Sequence, residues 1–190
     1  MRDFHHAQME PQPVEVLVGR APLGKWEAPQ LGWYKVNWDI ALGVHNNKIG
    51  LGVVIQDHMG RLVAARCVTR QGRLEPAVVE AMAAFVATQT TQELGIQKAW
   101  FEGDVKSISE VVNSLVADLS RIGHLVDDLR LELNKIPHWK MTYVCRENNR
   151  AAHVLARKAT SKEMDGLWLQ NFPEWLTKII VSKHNALFHD

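Results

Sequence analysis

The sequence predicts an α/β domain: a five-stranded mixed sheet, three antiparallel strands and then parallel ones, flanked by helices. Two observations carry this. Three short apolar segments follow one another between Lys35 and Val68 with only brief polar connections, the pattern of an antiparallel meander. From Pro76 onward the pattern changes to helix, strand, helices, strand, helix, and such helical crossovers join parallel neighbours with right-handed connections. Composition agrees: 190 residues, 46% hydrophobic and 23% charged, are enough for one compact core.

The first strand is Lys35-Val36-Asn37-Trp38-Asp39-Ile40-Ala41, in which Val36 and Trp38 alternate with polar residues at period two. A polar connection, Gly43 to Lys48, leads to a second strand, Ile49 to Gln56. Asp57-His58-Met59-Gly60 is a turn cluster, and Arg61 to Val68 is the third strand. Pro76 suits the first turn of a helix rich in alanine, able to pack closely on a sheet and ending near Leu94-Gly95. Ile96 to Glu102 is the fourth strand. Helices are predicted from Val105 to Val116 and from Ile122 to Leu133. Trp139 to Cys145 is the fifth strand, and Arg150 to Lys162 the last helix.

This divides the chain into a proline-bearing arm over residues 1–29, a domain over 30–165, and an apolar extension over 166–190. The extension, with Trp168, Phe172, Trp175, Ile179 and Ile180, is expected to pack back on the domain, with docking to a partner or a second copy as the alternative. No apolar run is long enough to cross a membrane, and the N-terminus lacks the apolar segment of a secretory signal. Cys67 and Cys145 have no metal-knuckle spacing and read as reduced thiols, so the expected location is the nucleus or cytoplasm. The net charge of +1 excludes a globally basic nucleic-acid binder; any phosphate binding must come from a local patch or from metal ions.

Three acids stand at informative places. Asp39 lies near the end of strand one, Glu80 early in the first helix, and Asp104 directly after strand four. With strands one and four as parallel neighbours, Asp39 and Asp104 leave the sheet at one edge, and a helix packed on the sheet can bring Glu80 there. Singly, Glu80 also reads as a helix-surface acid and Asp104 as a helix cap. Together they form a set of like charges that needs cations. Hard oxygen ligands suit Mg²⁺ or Mn²⁺, and two such ions about 3.5–4 Å apart can drive phosphodiester hydrolysis.

The stretch Trp26-x-x-Pro29-x-x-Gly32-Trp33-x-Lys35-x-Asn37-x-Asp39 resembles the start of the plant ribonuclease H-like family, related to the RNase H domains of plant non-LTR retrotransposon polyproteins. The resemblance continues through Gly50 to Asp57, Gly60-Arg61, Glu80-Ala81-x-Ala83, Glu102-Gly103-Asp104 and Arg146-Glu147-x-Asn149-x-x-Ala152-His153-x-Leu155-Ala156, and on to Phe172-Pro173-Glu174-Trp175-Leu176. It implies an RNase H-like fold and two-metal cleavage of the RNA strand of RNA–DNA hybrids. In the set it implies, Asp39 bridges both ions, while Glu80 and Asp104 hold the leaving-group ion. The fourth carboxylate position holds His153, which reads either as a replacement ligand that suits Mn²⁺ better than Mg²⁺ or as a solvent-facing helix histidine with no ligand role.

Other positions depart from the pattern. Ile40 stands where a small residue is common, Val105 follows the third acid, and Asp118 to Lys135 carries no basic excess. Candidate nucleic-acid contacts are His45, Asn46, Asn47 and Lys48, after strand one. The expectation is therefore an RNase H-type endonuclease; the alternative is a catalytically weak or inactive RNase H-like module that binds nucleic acid or protein. A proofreading-type exonuclease would need an acid where Ala41 stands.

Overall fold

The structure is a computed structural model, and it describes residues 26–43, 45–114 and 122–185. Strands β1 (Tyr34–Gly43), β2 (Lys48–Gln56) and β3 (Leu62–Gln71) form the antiparallel meander. Helix α1 (Pro76–Glu93), strand β4 (Lys98–Gly103), helices α2 (Lys106–Asn113) and α3 (Gly123–Leu133), strand β5 (His138–Tyr143) and helix α4 (Arg150–Lys162) follow in the predicted order. β4 runs parallel to β1, and β5 parallel to β4.

Two further elements follow: strand β6 (Gly166–Trp168) and helix α5 (Glu174–Asn185). The sheet order is β5-β4-β1-β2-β3-β6, so the sheet has six strands where five were expected. β6 pairs antiparallel with Ala65, Arg66 and Cys67 of β3 and covers the middle of an edge that would otherwise lie open. Three residues are too few to display an alternating pattern, which is why the sequence showed only an apolar tail there. Residues 1–25 of the expected arm, and the Leu115-Val116 end of the expected second helix, lie outside the described residues.

The sheet separates two cores. Val36, Trp38, Leu51, Val53 and Phe101 face the larger one, closed by Val79, Ala83 and Ala87 of α1 together with α2 and α3. Val54, Ala65 and Cys67 face the other, closed by Ala152, Leu155 and Ala159 of α4 and by Leu176 and Ile180 of α5. Helix α1 is buried over much of its circumference. Its Thr88, Thr90 and Thr91 hydroxyls donate to the carbonyls four residues back, which satisfies them inside the core.

Two glycines set how closely the layers approach. At Gly52 of β2, a methyl group would strike the Ala152 carbonyl and come within 2.7 Å of the Ala156 amide nitrogen, both backbone of α4. At Gly103 it would strike the buried Trp38 indole. α4 thus lies directly on β2 because β2 has no side chain in its way. Gly52→Ala should lower stability by about 1–3 kcal/mol or more, read as a fall in Tm and urea midpoint, because the clash is with backbone that cannot rotate aside.

Candidate metal centre

Strand register brings Asp39 and Asp104 together. In the parallel pair, Tyr34 is partnered with Ala99 and Asn37 with Glu102. Two residues further on, the same offset sets Asp39 beside Asp104. Glu80, in the second turn of α1, reaches the same point because small residues, Ala81, Ala83 and Ala84, let the helix close on the sheet. One carboxylate oxygen from each of Asp39, Glu80 and Asp104 lies within 4.8 Å of the others. Asp39 and Glu80 are only 3% and 5% exposed, and Asp104 is half-buried.

The ordinary structural duties of such acids are not performed here. α2 begins at Lys106 after Val105 with no side-chain cap, so Asp104 is not spent on capping. Glu80 lies in the interior and is no helix-surface acid. Its Oε2 is buried with no hydrogen-bond partner, in a residue whose carboxylate lies beside two others. Burial first, then the Asp104 charge, pushes the Asp39 carboxyl up to about 6. Burial, then Asp39 and Asp104, pushes Glu80 up to about 8. Three hard oxygen donors, one of them orphaned, fit a divalent cation of the Mg²⁺ or Mn²⁺ kind.

His153 stands beside this cluster. Its Nδ1 lies 2.8 Å from Asp39 Oδ2, and Arg146 Nη2 lies 3.2 Å from its Nε2. One neutral tautomer serves both contacts: Nδ1–H donates to Asp39, and Nε2 accepts from Arg146. In this arrangement the imidazole orients the Asp39 carboxylate, whose other oxygen accepts the Ile40 amide at 2.6 Å. Both ring nitrogens are engaged, and the cluster of mutually close ligand atoms comprises the three acids alone among the described residues.

The four loop residues have mixed roles. Asn46 donates to the Thr160 carbonyl at the end of α4, Asn47 accepts from Arg73, and Lys48 pairs with Glu163. Asn47 also holds a left-handed backbone, φ 51°. These three side chains tie the β1–β2 loop to its neighbours, while His45 is exposed.

Two residues without a sequence-assigned role stand out. Arg146 touches His153, and its charge opposes the rise at Glu80. Asn149 donates to the Trp38 carbonyl at 2.7 Å and accepts from Asn37, so it locks the start of α4 to β1 next to Asp39. Their signal was present in the Arg146-Glu147-x-Asn149 spacing, but only the fold shows what they grip.

The raised carboxyl values fix the sign of a pH effect. At Asp39 and Glu80 the folded, metal-free protein binds more protons than the unfolded chain above about pH 4, so the stability these two groups contribute falls as pH rises through about 6 and 8. Glu80→Gln should therefore stabilise the metal-free protein at pH 8, by on the order of 2–4 kcal/mol and read as a higher Tm, and much less at pH 5. Mg²⁺ or Mn²⁺ should stabilise the parent more than this variant. Thermal melts with chelator or metal at both pH values check this; equal parent and variant curves throughout would refute mutual repulsion at the cluster.

Known structures share this architecture. RNase H1 from the halophilic archaeon Halobacterium salinarum NRC-1 superposes with a TM-score of 0.58 at 19% identity, covering 68% of this chain and 98% of that one. LC11-RNase H1 in complex with an RNA/DNA hybrid gives 0.58 at 18%, covering 69% and 97%. The foamy viral protease-reverse transcriptase, also in complex with an RNA/DNA hybrid, gives 0.56 at 9%, covering 82% of this chain and 24% of that one. At these identities the likeness establishes the RNase H-like fold. No curated protein matches the sequence. The reverse transcriptase-like family matches residues 37–159, a span that runs from the buried Asn37 through all three acids and His153. On that match, the chain belongs to the reverse transcriptase-like family, with an RNase H-like domain.

Proposed function

We propose that this domain is a metal-dependent endonuclease of the RNase H type, which hydrolyses the RNA strand of RNA–DNA hybrids. The observation that carries the reading is the convergence of Asp39, Glu80 and Asp104 with an orphaned, buried Glu80 oxygen. The hybrid as substrate draws support from LC11-RNase H1 and the foamy viral enzyme, two proteins of this fold described with an RNA/DNA hybrid bound. The Trp26 to Asp39 signature further suggests kinship with the plant ribonuclease H-like group.

Asp39, Glu80 and Asp104 would hold two Mg²⁺ or Mn²⁺ ions. Such ions, when bound, lower the pKa of a coordinated water and stabilise charge on the leaving oxygen. The chain's own residues prepare the place. Burial keeps Asp39 and Glu80 out of bulk water, where each interaction with a cation counts for more. The Ile40 amide and His153 fix the direction of the Asp39 oxygens. Arg146 supplies positive charge beside Glu80, at a place where a phosphodiester carrying negative charge would come to lie.

His153 favours a second reading, a weakly active or inactive binding module. An imidazole stands where the family pattern has a fourth acid, and it is already engaged by Asp39 and Arg146. Released from those contacts, it could serve as a ligand that favours Mn²⁺ over Mg²⁺.

An end-labelled RNA–DNA hybrid, incubated in Mg²⁺ and separately in Mn²⁺, tests the assignment. Internal RNA cuts are expected, more in Mn²⁺, with Asp39→Asn lowering the rate by about a hundredfold or more through loss of several kcal/mol of stabilisation. No cuts from folded protein in either metal would leave the binding module standing. Separately, His153→Asp should raise Mg²⁺-dependent cleavage; unchanged rates in both metals would show that this position does not limit metal use.

A further inference from the structure

The segment from Arg146 through α4 carries a concentration of positive charge with no ion pair among the described residues. From Arg146 to Lys162 there are five basic residues, Arg146, Arg150, Arg157, Lys158 and Lys162, against one acid, Glu147. The whole chain is nearly neutral, with 22 basic and 21 acidic residues, so this is local enrichment. Within α4 itself there is no acid.

At 100° per residue, Arg150, His153 and Arg157 fall within a wedge of roughly 60° on one face of the helix. His153, between the two arginines along the axis, lies at the edge of that face that meets Asp39. Arg146 extends the row across the cluster through its contact with His153. Arg150 and Arg157 are exposed, and neither side chain makes an ion pair or hydrogen bond among the described residues. Elsewhere on the surface, basic side chains commonly have acidic neighbours: Lys106 with Glu110, Lys135 with Glu132, Lys178 with Glu174, and Arg66 with Glu93. Lys158 is turned away, over the Trp175 ring of α5.

Placing Arg150 at the first residue of α4 has a cost. The helix N-terminus bears partial positive charge, and this first turn contains no acid to offset it. A bound anion would reverse that cost. Arg150 and Arg157 are seven residues apart, about 10 Å along the axis. One strand of a duplex offers a phosphate about every 3.4 Å of axis, so the two would straddle about three nucleotides.

We propose that the Arg146–Arg150–Arg157 face of α4 is a phosphate track, along which the backbone of one strand of the hybrid runs away from the metal cluster. This rests on the hybrid being the substrate. A track of this kind binds backbone and not bases, so it contributes affinity without sequence preference. It also supplies basic contacts in a molecule whose net charge would not suggest them.

The test measures hybrid binding by fluorescence anisotropy across a salt series. It uses the full chain carrying Asp39→Asn to prevent cutting, with and without Arg150→Gln/Arg157→Gln. A Lys98→Ala/Lys135→Ala pair serves as a control on other surfaces, and thermal melts confirm that all variants fold. The arginine pair should weaken binding about tenfold at low salt and flatten the slope of log K against log salt by about two, equally for unrelated sequences. The control should leave both unchanged. Tight hybrid binding that the arginine pair does not alter would overturn the track and leave the hybrid reading intact. Displacement of the hybrid by polyglutamate at equal charge would overturn it in favour of an acidic protein partner. Absence of any hybrid binding by the parent would overturn the substrate reading and the track together.

Discussion

A buried ammonium sits at the root of this architecture. Lys35 is 1% exposed, and its Nζ lies 2.8 Å from Glu102 on the neighbouring strand. Burying both charges is expensive, and burial drives the Lys35 amine below its ordinary value, with Glu102 opposing. The pair persists because its surroundings satisfy it. Trp100 lies 3.8 Å under the ammonium and Trp26 5.2 Å from it. The other Glu102 oxygen accepts from Asn37, and Asn37 also donates to Asn149, which holds the Trp38 carbonyl. A chain of polar contacts thus joins β1, β4 and the start of α4. Those three elements deliver Asp39, Asp104 and His153, so the network that costs most to bury also holds the site's geometry.

The same physical logic divides what could be read from the sequence. Val36 and Trp38 alternate with Lys35, Asn37 and Asp39, and that alternation became two faces, one apolar and one polar. The alanine run of α1 announced close packing, and close packing carried Glu80 inward. Strand order followed from connection length and handedness. These are local or nearly local signals. Contacts between distant residues were not legible. Nothing in the order of residues says that Asn149 grips Trp38, that Arg146 meets His153, or that Asn46 and Lys48 tether their loop to the end of α4. β6 was invisible for another reason: a three-residue strand exists only because β3 offers it an edge.

Charge is distributed with a purpose along two helices. α1 contains Glu80 and Glu93 and no basic residue, while α4 contains four basic residues and no acid. They lie on opposite faces of the sheet, and residues from both meet at its edge around Asp39. A negative pocket beside a positive ridge suits a site that must collect cations and a polyanion together. Neither helix reveals this alone, and the near-zero net charge conceals it.

The two-faced character of β1 also bears on how the chain finds its fold. Sliding β1 by one residue against β2 or β4 would drive the Trp38 indole towards the polar chain and Lys35 towards the aliphatic core. Two-residue slips would keep each face but would separate Lys35 from Glu102 and leave both charges buried alone. Each misalignment therefore carries a penalty of a different origin, one from hydration and one from unpaired charge. β1 acts as an alignment key: the pairing that satisfies both faces is also the one that seats Asp39 against Asp104, so folding errors at this strand are disfavoured before the site can form wrongly.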